Sequence, residues 1–582
     1  MTSRFFNHLS LLLLLVAITS HASAQKASWL RTESFSGEEE VQLIEYIPTD
    51  TPERAAIWSF QSGVVPGGPG GAPDRIETWL KAYQENTGML LFQKKAGNVH
   101  IMKIKYNPAT DRILMLSLVS GNDLAPSFIG SDILKDDTLC YALRLLEYNH
   151  TGALVGNTQF PISCGHDATY VDADIDVASG KIVVAGHIHG DMFLDSTLYE
   201  FGTEQRFLRR DTSYMSVWEW SFAGDALHLD LFAQPSYVGP TSRFNTVCYG
   251  NSGDVYLGGW LLGPCTFDTV TINKVPEKSA SFIVRYKPGS HVLAGAKVWE
   301  GVADGNMNDM IFNPFNKKVY FLHSWADSLM PMTGNIHFGA PGLAANMMIG
   351  SLDSTLHLQH YNYLRSGDTS TIFETTLVNR QLAADAQGRI YSSGYLHDSF
   401  MVKERMYYTL QDRFAFKASV FRFNPDLDLD TFYLSNTPMD HGIVLGEKIA
   451  VGNGDEVFVG GSFSGVCIFP PASRSTASGN KDAYIAKLSF ASDQPTSIGD
   501  RTINKDEINT FPNPATSAIT ISLKKGQFLQ VYNGQGQLMK SAKLKTGEEK
   551  LQLSVQHWPR GIYYIRSITN KGEVGKSSFV LY

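Results

Sequence analysis

No stretch of this chain carries the roughly 20 consecutive apolar residues that a helix needs to cross a bilayer. Its longest apolar run, "LLLLLVAI" from Leu11, is about eight residues long. No block of Lys and Arg could follow a phosphate backbone, and the net charge of −8 is modest for 582 residues, which excludes nucleic acid as an expected partner. Charged residues make up only 18%, and no segment keeps a convincing helical period, so a helical protein is excluded. The five cysteines include no C-x-x-C pair and no Cys/His cluster at zinc spacing. Cys248 with Cys265, and Cys140 with Cys164, are candidate disulfides that leave Cys467 over; burial as small hydrophobes is the favoured alternative. Signature loops of enzymes are missing too: there is no G-x-S-x-G elbow, H-E-x-x-H helix, P-loop or dinucleotide fingerprint. The glycine-rich "GVVPGGPGGAP" from Gly63 has three prolines and no following Lys-Ser/Thr, so it reads as a loop between strands and not as a phosphate cradle.

What the sequence does hold is material for strands and tight turns: 51 Gly, 33 Phe, 25 Tyr and nine Trp. At the N-terminus, Arg4, the short apolar run and the small residues of "HASAQ" follow the order of a secretory signal peptide. Cleavage is expected between Ala24 and Gln25, giving a signal peptide over 1–24 and a mature chain without a transmembrane segment.

Two motifs recur in step. One is a polar turn leading into an Ile/Val-aromatic strand, as in "KYNPATDRILMLS", "DIDVASGKIVVAG", "CYGNSGDVYLGG", "FNPFNKKVYFLH", "AADAQGRIYSSG" and "AVGNGDEVFVGG". With a weaker copy near Glu45, the strand anchors are Ala55, Ile113, Ile182, Val255, Val319, Ile390 and Val457. The other is a strand with a central residue that is usually polar: Lys81, Arg144, Glu219, Arg285, Gly350, Arg422 and Lys487. Each unit holds about four short strand candidates. Seven four-stranded units over 25–490 predict an all-β fold, a seven-bladed β-propeller, which buries the faces of its sheets against one another. Solenoid coils are usually shorter and sandwich domains usually longer. Because the units are long for a propeller, long loops are expected on at least one face. The order G-x-V-Y-x-G-G then F-I-V-R-Y-x-P resembles the SBBP-type propeller repeats of exported bacterial proteins, a resemblance that implies a scaffold with an interaction face.

Three clusters could bear ligand chemistry. "GHIHGD" places His187, His189 and Asp191 on one face of an extended strand, a partial ligand set for a divalent metal. Asp172, Asp174 and Asp176, and likewise Asp426, Asp428 and Asp430, alternate as oxygen ligands for structural calcium can. Each cluster also has an ordinary reading, as a polar hairpin or a solvated strand face. No other cofactor and no catalytic residue is identified.

After Phe490 the repeats stop, and the polar stretch 491–509 reads as a linker. "TFPNPATSAITISL" then opens a set of alternating strands that predicts a small antiparallel Ig-like β-sandwich over 510–582. The series F-P-N-P-A, "VYNGQGQLM", "LSVQHWPRGIYYIRS" and a terminal strand resembles the type A C-terminal sorting domain of the type IX secretion system. That resemblance carries onto Pro512, Asn513 and Pro514 and onto Gly561 and Tyr563. It implies export through the periplasm of a Bacteroidetes-type bacterium, recognition by the type IX machinery, and attachment to the cell surface or release. The expected function is a non-catalytic scaffold that binds an unidentified protein or glycan. The alternative is a secreted hydrolase or lyase acting on polysaccharide or peptide.

Overall fold

The computed structural model describes most residues between 26 and 581; outside the description lie 1–25, 491–507 and parts of many loops, the longest 200–213, 332–344 and 367–376. The protein is all-β. Two compact units divide the chain at 495/496.

Among its described residues the first unit contains seven four-stranded antiparallel meanders, numbered here as sheets 1 to 7. Their first strands are Glu39–Tyr46, Val99–Asn107, Asp167–Asp176, Arg243–Tyr249, Gly305–Asn313, Leu377–Ala384 and Ile443–Val451. Each first strand lies against the first strand of the next sheet, and that of sheet 7 lies against that of sheet 1. Sheet 7 takes its fourth strand from the other end of the unit. Lys26–Glu33 pairs antiparallel with Asp482–Ser489, beside the strands Glu456–Ser464 and Ile443–Val451. Apolar cores fill the gaps between neighbours: Ile113 and Met115 of sheet 2 share a cluster with Trp58 and Phe60 of sheet 1.

In such a meander the first and third turns leave one end of the sheet, and the second turn and the link onward leave the other. The segments at the first end are short, as at 108–111, 177–180, 314–317 and 424–428. Several are closed by an Asn or Asp whose side chain accepts backbone N–H groups two and four residues ahead, as Asn149, Asp353, Asp385 and Asn424 do. The long segments, including 120–141, 190–213, 327–344 and 397–416, all leave the second end. Several contain short strands that pair onto the outer edge of the preceding sheet. Phe128–Ile129 adds to the fourth strand of sheet 1, Leu329–Pro331 to that of sheet 4, and Ser399–Val402 to that of sheet 5. An outer strand would otherwise offer a bare row of N–H and C=O groups, so these hairpins blunt an aggregation-prone edge and staple adjacent sheets together.

The register also explains why the two sequence motifs keep step. The position just before each second-strand anchor lies diagonally across from one position of the third strand, and three sheets place an ion pair there. Asp254 meets Arg285 at 3.4 Å and Glu456 meets Lys487 at 2.7 Å, while sheet 3 reverses the signs, with Lys181 on Glu219 at 3.1 Å. Two corrections to the sequence alignment follow. Sheet 1 is anchored at Ile57, which opens its second strand, and not at Ala55. Lys81, Arg144 and Gly350 are also out of register; Ala82, Glu147 and Ser351 occupy the equivalent places. Glu219 is 1% exposed, so Glu219→Lys alone would bury two ammonium groups together and should cost about 3–5 kcal/mol. The double variant Lys181→Glu/Glu219→Lys recreates the arrangement of sheet 7 and should recover most of that loss in urea unfolding. A double variant no better than the single one would show that the pair is not interchangeable.

The second unit holds two antiparallel sheets over one core. Ile508–Phe511, Ala518–Leu523 and Lys550–Ser554 form one; Leu538–Lys543, Phe528–Tyr532, Gly561–Ile568 and Val574–Leu581 form the other. Ile519, Ile521, Leu529, Val531, Tyr563, Ile565 and Phe579 fill the space between them. The first of these strands begins inside the stretch read from sequence as linker.

Candidate functional site: a polar cluster where the first strands meet

All seven first strands carry a β-bulge at the same place in their register. The extra residues are Gln42, Met102, Val171, Asn245, Asn308, Arg380 and Glu447. A bulge re-aims the backbone after it, so the next N–H points away from the sheet's own ladder and needs another acceptor. The neighbouring sheet supplies one. Asp172 of sheet 3 accepts the N–H of Val247 in sheet 4 at 2.9 Å, and Thr246 of sheet 4 accepts that of Met310 in sheet 5 at 3.1 Å. Asp309 of sheet 5 accepts Leu382 N–H in sheet 6 at 2.7 Å, and Gln381 of sheet 6 accepts Ile449 N–H in sheet 7 at 2.9 Å. In each case the acceptor immediately follows the bulge and the donor is one residue further along in the next sheet. One tier deeper, Asp174 accepts Tyr249 N–H at 3.0 Å.

At the other junctions the residue after the bulge cannot accept: it is Lys448, Leu43 or Lys103. Lys103 turns its ammonium toward Asp174 at 3.7 Å, and Lys105 lies 3.9 Å from Glu45. These side chains are enclosed by protein yet keep some solvent contact, with Asp174 16% and Lys103 25% exposed. Burial raises the pKa of Glu45 and Asp172, against the pull of nearby lysines, and pushes Asp309 up to about 7. For Lys103, burial opposes the charge, but Asp174, Asp172, Asp309 and Glu45 more than offset it, so its pKa is raised. Cys248, beside the same groups, is held far from thiolate by burial.

Asp172 and Asp174 are therefore drawn to backbone donors of the next sheet and to Lys103. Asp176 instead closes the turn after its strand, accepting Ala178 N–H, Ser179 N–H and the Ser179 hydroxyl. Asp426 faces His360 at 3.2 Å and Asp430 faces Arg422 at 2.6 Å, so the second acidic series divides among separate partners. His187 and His189 lie on the second strand of sheet 3, opposite Thr169 and Asp167; their side chains and Asp191 lie outside the described residues. Among the described residues no group of three His, Cys, Asp or Glu is placed to hold a metal ion. Cys248, Cys265 and Cys467 are buried thiols outside any disulfide, so Cys248 and Cys265 are not bridged to each other. Cys140 lies outside the description. Sequence reading missed Glu45, Lys103, Asp309, Gln381 and Lys448. For Lys103, Asp309, Gln381 and Lys448 the only signal was a shared place some nine or ten residues before the second-strand anchor, which means nothing until the bulges are known; Glu45 lies outside that phase.

A buried imidazole lies in the wall between sheets 4 and 5. His323 is fully buried, 2.7 Å from the Ser281 hydroxyl and stacked on Trp299, and burial pushes its pKa down to about 3. The folded state holds it neutral, whereas the unfolded chain protonates it near pH 6.5. Its contribution is thus present above about 6.5 and is lost as pH falls toward 3, up to about 5 kcal/mol. Asp309 acts in the opposite sense: the fold keeps a proton that the unfolded chain has lost, so stability falls as pH rises from about 4 through 7. In His323→Gln, urea-unfolding free energy should decline with pH across this range. An unchanged slope would show that His323 is not the group titrating.

In the second unit, Tyr563 is buried, stacks on Phe579 at 5.2 Å and donates its hydroxyl hydrogen bond to the Pro559 carbonyl. Gly561 has φ +151°, a backbone setting that side chains with a Cβ rarely adopt. Pro512, Asn513 and Pro514 lie outside the described residues, as do Ala24 and Gln25.

Residues 509–581 match the family described as "Secretion system C-terminal sorting domain". No curated protein matches the chain. Among solved structures, the extracellular domain of a putative one-component system from B. thetaiotaomicron aligns over 95% of this chain and 98% of its own, at 9% identity and a TM-score of 0.15. An ancestral GH74 enzyme aligns over 96% and 99%, at 10% identity and a TM-score of 0.16. Scores this low carry no argument about fold or activity. The sorting domain does carry one: the protein is exported to the cell surface or the extracellular medium. No helix among the described residues is long and apolar enough to cross a membrane.

Proposed function

We propose that the first unit is a seven-bladed β-propeller that serves as a non-catalytic binding scaffold for a protein or glycan. In this reading an N-terminal signal peptide leads the chain into the periplasm. The type IX machinery then recognises the Ig-like C-terminal sandwich and passes the chain outward. Support for the propeller comes from the succession of first strands, each against the next and the seventh against the first. Further support is the borrowed strand Lys26–Glu33, which ties the two ends of the unit into one sheet. The binding reading rests on one observation above all: the long connections of the sheets leave a single end, where they can build a variable surface on a rigid base. The described carboxylates of the central cluster are occupied with strand N–H groups and lysines, a structural task. Screening the purified chain from Gln25 to Tyr582 on glycan and matrix-protein arrays, with turnover assayed on every hit, tests the proposal. Saturable binding without product is the expected result, and product formation would overturn it.

A further inference from the structure

The acceptor pattern around the central cluster is broken at one place in a way that points to a ligand. Going round the sheets, the residue after each bulge meets an N–H of the next sheet, and where that residue is Asp172, Thr246, Asp309 or Gln381 it accepts the bond. At the junction of sheets 2 and 3, Lys103 cannot accept, but the N–H of Ala173 is taken by Asp172 at 2.8 Å. At the junction of sheets 1 and 2 the apolar Leu43 fills the position and is nearly buried. The junction of sheets 7 and 1 differs from both. Register places Lys448 where Gln381 stands one sheet earlier, and it places the N–H of Ile44 where that of Ile449 donates to the Gln381 side-chain oxygen. A donor therefore faces a cation where every bonded junction has a donor facing an acceptor.

We propose that the junction of sheets 7 and 1 binds one carboxylate or sulfate group of an anionic ligand, held by the Lys448 ammonium and the Ile44 N–H. The bound oxygen takes the place that a Gln or Asp oxygen holds at the other junctions. A charge-assisted bond to Lys448 and a backbone N–H bond together suit a planar or tetrahedral oxyanion better than a neutral group. His100 marks the rim. It is exposed, belongs to sheet 2 near the end of the strand from which the long connections leave, and has its pKa lowered by desolvation and by Lys448. The nearest acidic group on the same strand of sheet 1, Glu45, lies one step deeper and faces Lys105 at 3.9 Å. The inference rests on the reading of this unit as a binding module and narrows its ligand to one that carries a carboxylate or a sulfate group.

The test uses the full chain from Gln25 to Tyr582 with sodium sulfate and sodium glucuronate as probes, against sodium chloride at equal ionic strength. At least one probe is expected to bind saturably by calorimetry and to raise Tm in proportion. Response to only one of them identifies which source of the oxyanion the site accepts. Lys448→Gln supplies the acceptor used at the preceding junction; it should leave the fold intact and weaken probe binding at least tenfold. Lys448→Met removes the charge without adding an acceptor and should weaken binding similarly, which separates loss of the site from any misfolding of one variant. Equal binding by the parent and both variants, or no saturable response beyond chloride, would overturn the inference. Array ligands that bind all three proteins equally would also overturn it, while leaving the binding function itself standing.

Discussion

A chain that starts at residue 34 in place of Gln25 is expected to lose its cooperative thermal transition or to melt more than about 10 °C lower than the parent. The missing strand, Lys26–Glu33, is the outer strand of sheet 7, paired antiparallel with Asp482–Ser489 except at a bulge that leaves Ser28 without a partner in the ladder. Its Trp29 is 6% exposed and packs in a cluster with Ile44, Tyr83 and Phe458, and the indole N–H donates to the Glu85 carbonyl of sheet 1 at 2.8 Å. Arg31 reaches the same turn, donating to the Gly88 and Thr87 carbonyls at 2.7 and 2.8 Å. Gly88 at φ +62° sits flat on the indole, where an added Cβ would lie 2.6 Å from the ring. Burying a tryptophan is worth about 3–5 kcal/mol by truncation, and each lost ladder bond about 0.5–1.5 kcal/mol. Their sum approaches the 5–15 kcal/mol that typically holds a domain together. Removal also exposes the edge of Asp482–Ser489, so aggregation should accompany the loss. Trp29→Ala is the milder variant and should cost about 3–5 kcal/mol in urea unfolding. A truncated chain with unchanged Tm would show that the strand is an ornament and not a closure.

Deleting Thr510–Tyr582 is expected to abolish arrival at the cell surface and in the medium, leaving the rest of the chain in the periplasm of its native host. The deleted segment is nearly all of the matched sorting domain, and it has a core of its own. A single change that empties that core should therefore act like the deletion. Tyr563→Ala removes the ring stacked on Phe579 and tilted against Trp558 and should cost about 3–5 kcal/mol, a large share of what so small a domain has. Tyr564, next along the strand, is 52% exposed, and Tyr564→Ala should leave the fold intact. Fractionation of cells and medium with antibody against the first unit reads all three. Surface arrival of the deleted chain at parental levels would remove the basis for the assignment. Arrival of Tyr563→Ala alone would mean that recognition tolerates an unfolded tail.

Much of the framework was legible because it depends on local physics. Alternating strands, Asn and Asp turns and the aromatic anchors recur at a fixed phase, and strand pairing follows from them. The tail was legible for the same reason, and its strands at 518–523, 528–532 and 561–568 fall where alternation put them. Errors arose where register depends on partners. Ala55 and Ile57 are both apolar and only cross-strand pairing separates them; likewise Arg144 looked like the counterpart of Arg285 but lies three residues out of step.

By itself, then, the sequence determined an all-β chain of seven similar units followed by an export domain, because hydrophobic alternation and turn chemistry act within a few residues. Tertiary structure alone decided the site. Seven bulges, each invisible in its own strand, bring Asp172, Asp309, Gln381, Lys103 and Lys448 together from strands hundreds of residues apart. The pairing of Lys26–Glu33 with Asp482–Ser489 belongs to the same class, since no local pattern says which distant strand will leave an edge open. Both follow from the need of every backbone N–H for an acceptor once the strands are packed, a need that exists only in the folded chain.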